Sequence, residues 1–261
     1  MERALRREGE SLYFFGVRVD NLDRATALER VRRMLDGGVR AKGTRRVYFV
    51  NVHSIHVARR DPGFAATVNG GDLVLGDGSG LLLASRLYGD PMLENLNGTD
   101  LTPQLLELAE REGWSVFLLG ARREVLDACR ENLERRFPRL RIVGARDGYF
   151  APAEEPAVIE AVNRCRPDLL LVAFGSPRQE RFLADHAAEL EVGVSFAVGG
   201  LFDFLSGDKT RAPLWVRRLG LEFVFRLLQD PRSKWERVFV EIPEFLLRLG
   251  ASYLRDQLTG R

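Results

Sequence analysis

LVLGDGSGLLL, residues 73–83, joins an apolar run to a glycine turn and then to a second apolar run. Residues DLVLG (72–76) read as a short strand buried on both faces, and GLLLASRLYG as the helix that follows. A strand that delivers a tight turn to a helix is the usual way an α/β protein presents a ligand-binding loop. Asp77 stands in the middle of that turn, where a loop that only cradled phosphate would avoid a negative charge.

The same grammar recurs outward from this stretch. RVYFVNV (46–52), WSVFLLG (114–120), the start of RIVGARDGYF, DLLLVAFG (168–175) and VSFAV (194–198) read as strands. Amphipathic stretches separate them: SIHVARRDPGFAATVNG, TDLTPQLLELAEREG with Thr99 or Asp100 as cap, REVLDACRENLERRFP, EEPAVIEAVNRCRP and PRQERFLADHAAEL. Strands apolar on both faces that alternate with helices predict an α/β fold, a largely parallel, Rossmann-like sheet with helices on both faces. Ligands in such folds sit beyond the carboxyl ends of the strands, here the loops after Val50, at Gly76–Gly80, at Gly120–Arg123, at Gly175–Glu180 and at Val198–Asp203.

Composition bounds the function. The chain has 261 residues and a net charge of +2, which makes no case for a nucleic-acid partner. The charge is uneven: from Arg211 onward there are ten Arg or Lys against six Asp or Glu, so that segment is +4 and the rest −2. We therefore divide the chain into a catalytic domain, 1–210, and a helical, membrane-associating appendage, 211–261. In the appendage Leu219, Phe223 and Leu227 share a helix face while Arg217, Arg218 and Arg226 fall elsewhere, a pattern suited to an anionic bilayer interface. Its apolar content also suggests self-association. The N-terminus MERALRREGESL lacks an apolar core, so no secretory signal is expected, and no run approaches the roughly 18 apolar residues of a membrane span. The expected location is the cytoplasm, peripheral at the inner face of the cell membrane. Cys129 and Cys165 lack CxxC spacing and read as reduced thiols, and His53 and His56 lack metal-ligand neighbours.

Chemistry narrows this further. Residues 76–80 give G-x-G-x-G with Leu81 in place of a third glycine, so the dinucleotide fingerprint fails, and no Walker lysine follows. That argues against an NAD-dependent oxidoreductase. Asp77 reads either as a general base raised by nearby phosphate charge or as a turn-capping aspartate. In FGSPRQE (174–180), Gln179 offers an amide donor and acceptor to sugar hydroxyls. In VGGLFD (198–203), Gly199 and Gly200 admit close backbone approach, Phe202 offers a stacking face and Asp203 an acceptor, and Tyr149 is a second stacking candidate. The chain has no Asp-x-Asp pair, and Arg211, Arg217, Arg218 and Arg226 follow the Gly199–Gly200 turn in sequence.

The runs FVNVHSIHVARR, LGDGSGLLLASRLYG, NGTDLTPQLLELAEREG, FLLGARREVLDAC, GYF, PDLLLVAFGSPRQE and FAVGGLFDFLSGDKTRAPLWVRRLGLEFVFRLLQDP resemble, in order, the WecG/TagA/CpsF glycosyltransferases over residues 12–247. The resemblance implies inverting transfer of an N-acetylmannosamine-type sugar from a UDP-sugar to the 4-hydroxyl of N-acetylglucosamine on a polyprenyl diphosphate, in teichoic acid, common-antigen or capsule synthesis. It makes Asp77 the base, puts Asn51 and Gln179 at the sugar, and puts Tyr149 and Asp203 near uridine. With the UDP leaving group that the resemblance implies and no Asp-x-Asp pair, no metal or other cofactor is expected, and Arg211, Arg217, Arg218 and Arg226 become the candidates for neutralising the departing diphosphate. We add Gly76, Gly78, Asn95, Thr99 and Asp100 to the substrate set and Gly120, Gly199 and Gly200 to the nucleotide set. Phe49 and Asn95 depart from the pattern, where threonine and arginine are common, and both bear on the sugars. The competing readings are another UDP-hexose donor and a non-catalytic, nucleotide-binding scaffold of a membrane glycan complex.

Overall fold

The computed structural model describes residues 3–36 and 43–259. Its centre is a six-stranded, all-parallel sheet built from β4 (Arg45–Val50), β5 (Leu73–Gly76), β6 (Ser115–Gly120), β7 (Arg141–Arg146), β8 (Leu169–Ala173) and β9 (Val194–Ala197), in the order β5-β4-β9-β8-β6-β7. The strands alternate as the apolar runs require. Val47 and Phe49, Leu73 and Leu75, Leu169 and Leu171 face one core, whereas Tyr48, Val50, Val74, Leu170 and Val172 face the helices on the other side.

An antiparallel three-stranded sheet precedes it: β1 (Leu5–Glu8), β2 (Ser11–Phe14) and β3 (Val17–Asp20). Its Leu12, Phe14, Val17 and Val19 complete the second core, and Val19 comes to the underside of Gly76. A Cβ at Gly76 would stand 2.3 Å from Met92 Cε, so that glycine is required by packing.

The helix after β5 runs Ser79–Leu87. The helical stretch after β4 divides into Val52–Arg60 and Pro62–Asn69 at Asp61, which ends one helix and caps the next by accepting from Phe64 N–H. The cap of the helix Gly98–Glu112 corrects the expectation for Thr99 or Asp100: Asn97 Oδ1 accepts from Asp100 N–H at 2.9 Å. Thr99 and Asp100 instead occupy the first turn, where a carboxylate suits the positive end of the helix.

Residues 211–259 fold as short helices at Leu214–Arg218, Glu222–Gln229 and Pro231–Glu236, a π-helical turn at Arg237–Glu241, and the long helix Ile242–Thr259. Phe245 and Leu249 of the long helix join the second core, and Phe245 meets Phe15 edge-on. Much of the rest is apolar and outward: Trp215, Leu219, Trp235 and Phe239 are each more than half exposed. Among the described residues no helix is long and apolar enough to cross a membrane.

Candidate active site

The carboxyl ends of β5, β4, β9 and β8, together with the helices of 222–241, enclose a cavity of about 270 Å³. Asp77 enters it from the turn after β5. Its N–H donates to Val50 carbonyl at 2.7 Å, Gly78 N–H donates to Asn95 Oδ1 at 2.8 Å, and Gly78 takes φ +105°, a conformation that favours glycine. Ser79 Oγ donates to the Gly220 carbonyl at 3.1 Å, which ties residues 211–259 to the same turn.

Asn51 stands at the end of β4 and uses both ends of its amide. Oδ1 accepts from Ser54 N–H at 3.3 Å and caps the helix Val52–Arg60, while Nδ2 lies 3.5 Å from Asp77 Oδ2. Burial is the largest influence on Asp77 and lifts its carboxyl above the ordinary range, aided by Glu222. The charges of Arg226 and Arg237 pull the other way without cancelling it. A carboxyl whose proton affinity is raised by burial accepts a proton more readily than an exposed carboxylate does, which suits a general base.

Gln179, on the helix Arg178–Asp185, braces two loops. Its Oε1 accepts from Gly175 N–H at 3.2 Å and Gly199 N–H at 2.9 Å, and its Nε2 donates to Glu180 Oε1 at 2.9 Å. Glu180 lines the cavity yet is 2% exposed, and among the described residues its Oε2 has no hydrogen-bond partner. Burial pushes the Glu180 carboxyl upward.

The facing wall is cationic. Arg226, Lys209, Lys234 and Arg237 all line the cavity. Arg226 is held by Glu222 at 2.7 Å and lies 5.1 Å over the Phe204 ring, and Lys209 bonds Asp203 at 2.9 Å. Burial and the like charges of Arg237 and Lys209 push the Lys234 ammonium down, and burial does the same to the Arg237 guanidinium. Such crowding is relieved by an anion.

Of the residues singled out in the sequence, Asp77, Asn51, Gln179, Thr99, Gly199, Gly200, Asp203 and Arg226 line this cavity. Gly76, Gly78 and Asn95 support the Asp77 turn from behind. Asp100 is bonded to Arg211 and lies 3.4 Å from Arg217. These two arginines are thereby committed to a carboxylate, and the Arg218 side chain lies outside the described residues. Gly120, at the end of β6, and Tyr149, in the loop after β7, are not among the described residues that line the cavity. A Cβ at Gly120 would stand 2.5 Å from the Ala173 carbonyl, and Tyr149 is 73% exposed. Phe202 corrects the stacking expectation: it is fully buried in the core, because the helix Leu201–Leu205 begins directly after Gly200 and turns Phe204 to the cavity instead.

Sequence reasoning missed His53, Glu180, Lys209, Lys234 and Arg237. Glu180 carried the one available signal, an acid beside Gln179 at a strand end. Both cysteines are free thiols, and burial pushes Cys129 up to about 12. Among the described residues no group of three or more His, Cys, Asp or Glu is arranged to hold a metal ion.

The chain is 31% identical over 198 residues to the N-acetylglucosaminyldiphosphoundecaprenol N-acetyl-beta-D-mannosaminyltransferase of Bacillus subtilis (strain 168), covering 76% of each chain. It is 34% identical over 189 residues to the Bacillus spizizenii protein of that name, covering 72% of each. Against the Staphylococcus aureus (strain MW2) protein of that name it is 27% identical over 238 residues, covering 90% of each. Residues 12–259 match the family described as "Glycosyl transferase WecG/TagA/CpsF family", and the chain is a glycosyltransferase that belongs to it.

Proposed function

We propose that the chain transfers an N-acetylmannosamine-type sugar, with inversion, from a UDP donor to the 4-hydroxyl of N-acetylglucosamine carried on a polyprenyl diphosphate. The observation that carries this reading is the placement of Asp77: a raised carboxyl in the cavity, opposed by the charges of Arg226 and Arg237. The activity for which the relatives are named supports the acceptor and the sugar class.

In this reading Asp77 takes the proton of the acceptor hydroxyl as its oxygen attacks the anomeric carbon. The bond from that carbon to the diphosphate breaks, and the electron pair leaves with UDP. Arg226, Arg237 and Lys234 meet the charge that develops there, and charged donors already aimed at the leaving group need no metal. Asn51 orients the base. Gln179 sets the sugar pocket by holding the Gly175 and Gly199 loops, and Asp203 and Tyr149 are the proposed contacts to the uridine side.

We place the enzyme at the membrane surface, with residues 211–261 as the appendage that meets it. Exposed Trp215, Leu219, Trp235 and Phe239, with the arginines among them, suit a bilayer interface where a lipid-borne acceptor must be met. The test is incubation with a panel of UDP-sugars and a short-chain lipid-diphosphate-N-acetylglucosamine, reading released UDP. Turnover with UDP-N-acetylmannosamine above all other donors is the expected result. Preference for another UDP-hexose would replace the donor, and no acceptor-dependent UDP release from any would reject the reading.

A further inference from the structure

The π-helical turn Arg237–Glu241 interrupts what would otherwise be one helix from Pro231 to Thr259. It is closed by Ile242 N–H donating to the Arg237 carbonyl. Such turns bond less favourably than α-helix and are found disproportionately at functional sites. Here the first residue, Arg237, lines the cavity and acts on Asp77, while the last, Glu241, turns into the protein and is 5% exposed.

Glu241 has one partner among the described residues that the proposed chemistry does not use. Its Oε1 and Oε2 stand 2.8 and 3.0 Å from His53 Nδ1. His53 follows Asn51 by two residues on the helix Val52–Arg60 and also lines the cavity. A short circuit of contacts therefore runs from Asp77 through Asn51 and His53 to Glu241, and returns along the π turn to Arg237. Its two halves are distant in sequence and meet at this part-buried polar bond, whose Glu241 side is buried. A buried carboxylate that loses its partner is costly to keep buried, so the turn has reason to leave if His53 is removed.

A second contact lies further out and differs in kind. Glu244 is 3.1 Å from His56, and Arg59, Arg60 and Arg248 also reach it. With that many partners, and more solvent, the loss of any one is absorbed.

We propose that the Glu241–His53 bond is a clasp that seats the π turn, and that both are positioning residues which hold Arg237 over the nucleotide diphosphate without touching the reacting atoms. The clasp rests on the UDP-sugar reading for what Arg237 binds, but not for its own existence.

The experiment titrates UDP by calorimetry into the full chain and follows amide exchange over residues 231–241. Glu241→Leu and His53→Leu are each expected to weaken UDP by tenfold or more, with kcat at saturating donor changing less than threefold, and to speed exchange in that segment. The double variant should bind no worse than the weaker single. His53→Asn, whose amide stands near where Nδ1 stood, should stay within threefold of the parent, as should Glu244→Gln. Glu241→Gln, nearly isosteric, covers the case in which leucine prevents folding, and should fall between parent and Glu241→Leu or His53→Leu. Unchanged exchange in folded His53→Leu or Glu241→Gln protein would overturn the clasp, as would effects that multiply in the double variant. His53→Asn as weak as His53→Leu would also overturn it, by making His53 a substrate contact. A parent chain that binds no UDP, yet shows the exchange changes, would keep the clasp and reject the donor.

Discussion

Asn51 Nδ2 lies 3.5 Å from Asp77 Oδ2 while the same amide, through Oδ1, caps the helix Val52–Arg60. One side chain thus couples the start of a helix to the orientation of the base. Asn51→Ala removes both functions. The lost cap is expected to lower unfolding free energy by about 1 kcal/mol in a denaturant titration. Asn51→Ser keeps a cap and loses the reach to Asp77, so it should recover the stability and not the turnover. Recovery of both would separate Asn51 from the base.

Asp77→Asn is expected to lower kcat by about 10²- to 10⁴-fold and leave UDP binding within a few-fold, since the change removes the base and little volume. Asp77 must be ionised to accept the proton, and burial lifts its pKa. The acid limb of kcat/KM in the parent should therefore fall above the roughly 4 of a free carboxylate, with activity lost as pH drops through it. An acid limb at or below 4, or an Asn variant of full activity, would remove Asp77 from the role.

The central sheet was legible because most of its strands are near-continuous apolar runs that end in glycine or a polar turn, as in DLLLVAFG. The sheet β1–β3 was not, because LRRE carries one apolar residue in four and SLYF and VRVD mix polar with apolar residues, so none is a continuous apolar run. The strand-end side of the site was legible for the same reason as the sheet: Asp77 and Asn51 sit where an apolar run stops, and Gln179 a few residues beyond one. Its cationic wall was hidden. Lys234 and Arg237 are more than 150 residues from Asp77, and nothing local marks a π turn in RVFVE. Arg211 and Arg217 were nearer to the glycine loop in sequence, but Asp100 holds them.

Lys234 and Arg237 share the cavity with Lys209 and Arg226, and burial and like charge both oppose the Lys234 ammonium. Lys234→Met should therefore raise the melting temperature of the nucleotide-free chain while weakening UDP by about tenfold, the worth of one charge-assisted bond. Arg237→Met should weaken UDP at least as much. Two calorimetric titrations and two thermal scans suffice, and unaltered UDP affinity in both variants would move the diphosphate elsewhere.

Burial pushes Asp100 up, but bonds from Arg211 and Asn97 and the charges of Arg211 and Arg217 outweigh it and bring the carboxyl to about 2. Its folded pKa is thus below the unfolded value near 4, so its contribution is complete above that value and is lost as pH falls toward 2. Allowing for partial solvent screening, Asp100→Asn should cost on the order of 1 kcal/mol at pH 7. The gap to the parent should narrow between pH 4 and 2 in the same urea titration. A gap that is constant with pH would mean the pair contributes nothing through ionisation.

The last prediction concerns the leaving group. A divalent ion would supply positive charge at the diphosphate, but Arg226, Lys234 and Arg237 already bring it to the cavity, and Arg226 is fixed by Glu222 and the Phe204 ring. Donors held in place before the substrate arrives need no reorganisation as charge develops, which is where such groups act most strongly. Acceptor-dependent UDP release should therefore be unchanged in excess EDTA, and added magnesium or manganese should alter kcat by less than twofold. Strict dependence on either ion, restored by back-titration after chelation, would show that the cations of residues 226–237 bind the nucleotide without carrying its departure.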